Sequence, residues 1–296
     1  MNTEKYIKTN FKSLKGKTVA VTGSTGGIGK ELCSQLCSLG ASLILLDRNE
    51  EKSLRHGQYL KEKYGSGVSY IKTDLEDIFS VKEAVNELLK RDVDVLIHNA
   101  GAYSIPRRKS ALGYDNVFQI NFLSPYYMTK KLLPMLKSRS GKVVAVGSIA
   151  HNYSRTDKSD IDFSGRHRSS KVYGNAKRYL MFSLNELFKN ESGAYLSVTH
   201  PGITFTNITA HYPKAIFALI KHPMKVIFMK PKKAAVSILK GVYDTCRDCQ
   251  WIGPRIFNVW GLPSKKTLKS ADEQERKHIF ENAERLYNEM DGKLRG

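Results

Sequence analysis

The sequence predicts an α/β fold: one doubly wound domain over residues 1–296, with a parallel sheet of about seven strands flanked by helices. Three observations carry that reading. Short runs rich in Val, Ile and Leu alternate with helical patterns along the chain. Several runs are continuously apolar, as strands buried on both faces must be. Glycine-bearing turns recur where the strands end, the edge at which such sheets bind ligands.

In chain order, "KTVAVTG", Lys17 to Gly23, is the first strand, closed by a glycine-rich turn. A helix follows from about Ile28 to Leu39 and stops at Gly40. "SLILLD", Ser42 to Asp47, is the second strand and "GVSYIKTD" the third. "VKEAVNELLKR" spaces its apolar residues by three and four, a helix. "VDVLIHNAG", Val93 to Gly101, "GKVVAVGS" and "AYLSVTHPG" supply strands four to six. "WIGPRIF" is a seventh, its pairing limited by Pro254. "ADEQERKHIFENAERLYNEM" closes the chain as an amphipathic helix for the body or another subunit. Residues 1–15 read as an extension that braces a dimer, and about 207–245 as a substrate lid.

Lys and Arg number 48 against 28 Asp and Glu, a formal charge of +20. Such a field draws phosphate-bearing cofactors, nucleic acid or an acidic membrane. The small basic clusters, Arg166–Lys171 among them, read as solvated surface. No helix-turn-helix or aromatic–basic surface accompanies the charge, so no specific nucleic-acid binding is expected. The first residues lack the apolar core of a secretory signal, which predicts a cytoplasmic protein. "AIFALIKHPMKVIFMKPKK", Ala215 to Lys233, reads as a lid over an apolar pocket, with peripheral contact to an anionic bilayer as the alternative. Cys33, Cys37, Cys246 and Cys249 have the wrong spacing for zinc and read as free thiols, so no metal is expected.

The turn "TGSTGGIG", Thr22 to Gly29, lies between a strand and a helix. There backbone N–H groups and the helix N-terminus can hold a diphosphate. Asp47 ends the next strand, where it can accept hydrogen bonds from ribose hydroxyls. That carboxylate would repel a 2′-phosphate and favours NAD(H), whereas Arg48 would pair with one and allows NADP(H).

These residues resemble the short-chain dehydrogenase/reductase family, in its retinol-dehydrogenase-like or hydroxysteroid-dehydrogenase-like branch. Gly23, Gly27 and Gly29 match the T-G-x-x-x-G-x-G pattern. Gly23, Gly26 and Gly29 also fit the T-G-x-x-G-x-x-G spacing of the extended epimerase-type branch, but Asn99, Ala100 and Gly101 favour the reductase branch. His98 replaces the first Asn of that N-N-A-G stretch. The resemblance implies a Rossmann-type domain and a cofactor contacted by Thr25, Ile28, Asp74 and Leu75 as well. It covers roughly Lys15 to Thr206.

Tyr173 and Lys177 carry the family's Y-x-x-x-K spacing, as do Tyr59/Lys63, Tyr126/Lys130 and Tyr127/Lys131. Only Tyr173 follows a strand-end serine, Ser148, in the family's order. Tyr173 is then the acid/base, its pKa lowered by the Lys177 ammonium on the same helix face. Ser148 binds the substrate oxygen, and Asn121 holds a water that relays protons to Lys177. Pro201, Gly202, Ile203 and Thr206 match the turn that contacts the nicotinamide, and Lys177 would also hold its ribose.

The resemblance thus implies an NAD(P)-dependent oxidoreductase that interconverts a secondary alcohol and a ketone. The apolar residues of the last third suggest a bulky apolar substrate, steroid-like, retinoid-like or acyl. A homodimer or homotetramer is expected. The alternative is a dinucleotide-binding regulator without turnover, against which the complete Asn121, Ser148, Tyr173 and Lys177 set speaks.

Overall fold

The structure is a computed structural model that describes residues 3–204, 229–247 and 249–295. Eight strands form one sheet in the order β3-β2-β1-β4-β5-β6-β7-β8. They are β1 (Thr18–Thr22), β2 (Ser42–Asp47), β3 (Val68–Lys72), β4 (Val95–His98), β5 (Lys142–Val146), β6 (Tyr195–Thr199), β7 (Gln250–Ile256) and β8 (Trp260–Thr267). The first seven run parallel, and β8 turns back antiparallel on β7. The strand order reverses between β1 and β4, which places a crevice above their carboxyl ends.

The helices are α1 (Thr3–Asn10), α2 (Gly27–Ser38), α3 (Glu50–Tyr64), α4 (Ile78–Leu89), a single turn α5 (Asn116–Phe118), α6 (Ser124–Ser138), α7 (Ser169–Lys189), α8 (Pro231–Tyr243) and α9 (Glu273–Arg295). They cover both faces of the sheet, each with its own apolar cluster. The strands β1, β2, β4 and β5 are almost entirely buried because both their faces are packed, which explains their unbroken apolar sequences. A π-helical turn, Gln119–Leu123, joins α5 to α6.

Two expectations are corrected, and the expected sheet of about seven strands is present with one more at its edge. Residues 3–15 are not an addition to the fold: Ile7 and Leu14 are buried in the cluster under α2 and α8, and the Phe11 ring packs 5.0 Å from that of Tyr243. The expected lid falls partly outside the described residues, and its described part is the core helix α8, which buries Ala234, Ala235, Val236, Ile238 and Leu239. The sheet gains an eighth strand. Pro254 is tolerated because its partner in the β7–β8 register is Pro263, so neither lacks a donor the other needs.

The terminal helix α9 packs on this chain, burying Ile279, Ala283, Leu286 and Met290 in the cluster shared with α6 and α7. None of the four cysteines is in a disulfide and all are buried, the Cys249 sulfur accepting from Arg276 at 2.6 Å. Among the described residues, no helix is long and apolar enough to cross a membrane.

Candidate active site

A cavity of about 960 Å3 opens above the carboxyl ends of the strands. Its floor is built from backbone. Gly23 takes a φ of +67°, which a side chain would strain, and a Cβ there would stand 2.9 Å from Ala100. A Cβ on Gly29 would fall 2.1 Å from the Gly23 carbonyl, so only glycine allows α2 to start this close to β1. The Asn99 amide fixes the turn by donating to the carbonyls of Thr22 and Gly23, each at 3.0 Å. Thr22 Oγ1 in turn accepts from the backbone N–H groups of Asn99 and Ala100. Gly23, Gly27, Ile28, Gly29, Asn99, Ala100 and Gly101 all line the cavity.

Ser148, Tyr173 and Lys177 line its other side, with Pro201, Gly202 and Ile203. Ser148 leaves β5 as the cap of a short 3-10 turn, its hydroxyl accepting from the Ala150 N–H at 3.2 Å. Tyr173 and Lys177 come from the second and third turns of α7. Burial pushes the Tyr173 phenol up to about 12, while a hydrogen bond with Ser148 pulls it back. Burial pushes Lys177 down to about 7. The ammonium lies 5.8 Å from the centre of the Tyr173 ring and donates to the Val146 carbonyl at 2.8 Å. The expected depression of the Tyr173 pKa by Lys177 is therefore not a feature of this geometry: desolvation dominates the phenol, and the ammonium is spent on a carbonyl.

The structure separates this tyrosine–lysine pair from the three others. Lys63 donates to the Tyr59 hydroxyl at 2.7 Å on the exposed face of α3. Tyr126 and Lys130 both bind Glu284 of α9, at 2.5 and 2.8 Å. Lys131 pairs with Asp291 at 2.5 Å. None of these residues lines the cavity.

Several expected residues sit elsewhere. Asp47 is 4% exposed and does not reach the cavity. Its carboxylate accepts from the Ser24 hydroxyl, from Ser53 Oγ at 2.9 Å, and from Thr25 through its N–H and hydroxyl at 3.3 and 3.2 Å. Four donors surround it, so it stiffens the glycine turn and has little capacity left for a ribose. Thr25 is likewise turned to Asp47. Arg48 does line the cavity. Its guanidinium lies 4.0 Å from Asp74, whose other oxygen accepts from the Glu76 N–H. Leu75 is buried in the core.

Asn121 is fully buried in the π-helical turn and pins the loop after β4. It donates to the carbonyls of Ala102 and Val117 at 2.8 Å and accepts from the Ala102 N–H at 3.3 Å. It still borders the site, because a Cβ on Gly101 would meet Asn121 Oδ1 at 2.9 Å and Lys177 Nζ at 3.5 Å. Thr206 lies outside the described residues. His98, in place of the family's Asn, hydrogen-bonds Thr129 at 2.9 Å in the core.

Sequence reasoning missed Tyr103, whose ring stands edge-on to that of Tyr173 with centroids 5.3 Å apart. It also missed Arg108, which pairs with Glu76 at the cavity rim, and His200, stacked on Trp251. Only their nearness to "HNAG" and "HPG" in sequence pointed to them.

A glycine-floored crevice lies at the strand-order reversal, walled opposite by serine, tyrosine and lysine, where open α/β sheets bind their ligands. Comparison with known proteins agrees. The profile of the family described as short chain dehydrogenase matches residues 17–159. An uncharacterised oxidoreductase of Schizosaccharomyces pombe is 30% identical over 258 residues, 81% of this chain and 76% of that protein. Retinol dehydrogenase 14 of Mus musculus is 30% identical over 67% of this chain, which spans 64% of that protein, a little under two thirds. A crystal structure of an uncharacterised protein from Mycobacterium paratuberculosis shares the fold, with a TM-score of 0.74 at 23% identity over 95% of this chain and 96% of that one. The chain belongs to the short-chain dehydrogenase/reductase family. It is thus of the NAD(P)-dependent oxidoreductase class.

Proposed function

We propose that this protein interconverts a secondary alcohol and a ketone on a bulky apolar small molecule, steroid-like, retinoid-like or acyl, with Tyr173 as acid and base. The observation that carries this reading is the meeting of Ser148, Tyr173 and Lys177 across one cavity from the glycine turns. The apolar wall fits such a substrate, since Tyr103, Ile105, Pro106, Ile149 and Tyr153 line it.

The residues present fit a dinucleotide. Gly23, Gly27, Ile28 and Gly29 would hold its diphosphate at the start of α2, where N–H groups and the helix dipole favour anions. Lys177 would hold the nicotinamide ribose, and Pro201, Gly202 and Ile203 would flank the ring. When bound, such a cofactor supplies or accepts the hydride. Tyr173 gives its phenolic proton to the developing alkoxide in reduction and takes it back in oxidation. Ser148, already hydrogen-bonded to Tyr173, holds the same oxygen and its charge. Burial alone makes Tyr173 a weak acid, so catalysis near neutrality requires Lys177 to be charged and close when the substrate is present.

The expectation of NAD(H) through Asp47 gives way here to NADP(H) through Arg48. Asp47 is enclosed by hydroxyls, whereas Arg48 is 68% exposed at the cavity edge, where it can pair with a 2′-phosphate.

The test is turnover of a panel of steroid, retinoid and acyl ketones with NADPH or NADH, followed by absorbance of the reduced nicotinamide. Oxidation of the cofactor that depends on the ketone is expected. Tight cofactor binding without turnover of any panel member, in either direction, would support the regulator instead.

A further inference from the structure

We propose that a second, basic cavity beside the first binds an anionic group, a phosphate ester or carboxylate, carried by the substrate. This rests on the reading of the large cavity as the substrate site. The second cavity, about 340 Å3, is lined by Arg155, Arg166, His167, Arg168 and Lys171 around Phe163. Four of these residues are Arg or Lys, and among the described residues no carboxylate lines it, although Asp157 and Asp160 lie 2.5 and 3.7 Å from Arg166.

A solvated basic face would scatter such charges, but this segment is built to gather them. Phe163 is 4% exposed, holds a φ of +57° and packs with Val117 and Val172. Asp162 accepts from the Asp115 N–H at 2.7 Å, and Asn175 donates to the Ile161 carbonyl at 2.7 Å. Arg107 donates to the Phe163 carbonyl at 2.9 Å. These contacts fix residues 161–163 from three sides, so bringing the cations together costs little further ordering when a ligand binds.

The cations are not equivalent. Arg166 is paired with Asp157 at 2.5 Å and stacks over Phe163, and Lys171 donates to the Tyr153 carbonyl. The side chains of Arg155 and Arg168 have no hydrogen bond or ion pair among the described residues, although the Arg168 carbonyl accepts from the N–H groups of Lys171 and Val172. Their charges are available to a carboxylate or phosphate, which guanidinium binds through paired N–H donors.

The two cavities share a wall. Tyr153 and Ser170 line the first, and their chain neighbours Ser154 and Lys171 line the second. Ser154 Oγ donates to the Lys171 carbonyl at 3.1 Å and ties the partition together. The arrangement fits an amphiphile that lies over the edge of this partition, its carbonyl or carbinol at Tyr173 and its anionic end on Arg155 and Arg168.

The test is calorimetric binding of decyl phosphate and of decanol to the full chain and to an Arg155→Gln/Arg168→Gln variant. Both residues are exposed, so the fold should survive, and an unchanged Tm checks this. We expect the variant to bind decyl phosphate at least about tenfold more weakly, with decanol unaffected and the wild-type affinity weakened by salt. Equal decyl phosphate affinity in the two proteins, or an equal loss for decanol, would overturn the proposal. So would retention of the wild type on phosphatidylserine vesicles, lost in the variant, without binding of decyl phosphate: the arginines would then serve a membrane surface. None of these readouts needs turnover, so an inactive enzyme would refute the proposed reaction and leave this test standing.

Discussion

Lys177 faces the ring of Tyr173 and is not hydrogen-bonded to its hydroxyl: the ammonium stands 5.8 Å from the ring centre and donates a hydrogen bond to the Val146 carbonyl at 2.8 Å. On exposed α3, by contrast, Lys63 does reach the Tyr59 hydroxyl. The direct contact thus belongs to the pair outside the cavity. What distinguishes Tyr173 is its placement beside Ser148 and the glycine turns, which makes chemistry there a matter of position more than of resting pKa.

Tyr173→Phe removes the proton donor and keeps the ring that meets Tyr103. It should lower kcat by about 10²–10⁴-fold, the usual contribution of a general acid or base. Cofactor affinity, read by quenching of protein fluorescence, should stay within about twofold, because the glycine turns do not involve the phenol. Normal turnover in this variant would remove Tyr173 from the mechanism.

The motifs of this site were legible because each marks a strand end. "TGSTGGIG", "HNAG", the serine of "VVAVGS" and "HPGI" all come to one cavity because β1, β4, β5 and β6 are adjacent and parallel. Side-chain direction was not legible. Asp47 closes β2 as a ribose-binding acid would, yet Ser24, Thr25 and Ser53 claim its carboxylate from the turn and from α3. β8 was hidden because "WGLPSKKT" has neither alternation nor an unbroken apolar run: it is an edge strand with mostly exposed side chains. The extension at residues 3–15 carried only two buried apolar anchors, Ile7 and Leu14, too few to show a packed helix in a polar sequence.

Arg48→Ala tests the cofactor reading. If Arg48 meets the 2′-phosphate, KM for NADPH should rise about tenfold or more while KM for NADH changes little, as expected for loss of one charge-assisted contact. Equal effects on both cofactors, or a wild type that prefers NADH, would return the preference to NAD(H).

Lys177→Met should change how stability depends on pH. Lys177 is lowered to about 7 in the folded protein, whereas an unfolded lysine keeps its proton up to about 10.4. Between those values the unfolded chain binds the extra proton, so the wild type gains stability as pH rises. The variant lacks this gain. Its stability relative to the wild type should therefore fall by up to roughly 1.4 kcal/mol per pH unit between pH 7.5 and about 9.5. Denaturant unfolding of both proteins across that window measures the difference, and a constant gap would show that Lys177 is protonated throughout.

Arg178 tests whether α9 supports the site from outside it. Its guanidinium is 1% exposed and follows Lys177 directly on α7. It donates to both oxygens of Glu275, at 2.8 and 2.5 Å, and to the Ser270 carbonyl. Its third contact is the His151 carbonyl at 3.0 Å, in the 3-10 turn that begins at Ser148. Glu275 also accepts from Thr156 through its N–H and hydroxyl, both at 3.1 Å. One cation therefore joins α7, the start of α9 and the turn that carries the serine. Arg178→Met keeps the volume but leaves the Glu275 carboxylate and two carbonyls without their donor. Breaking a buried pair in this way costs about 3–5 kcal/mol, far more than an exposed pair would. Adding Glu275→Gln should recover part of that loss, because the orphaned charge is gone. With the turn after Ser148 loosened, kcat should fall several-fold at a temperature where the variant is still folded, while KM for the cofactor holds. A variant as stable as the wild type would show that α9 is held by its apolar face alone, through Ile279, Ala283, Leu286 and Met290.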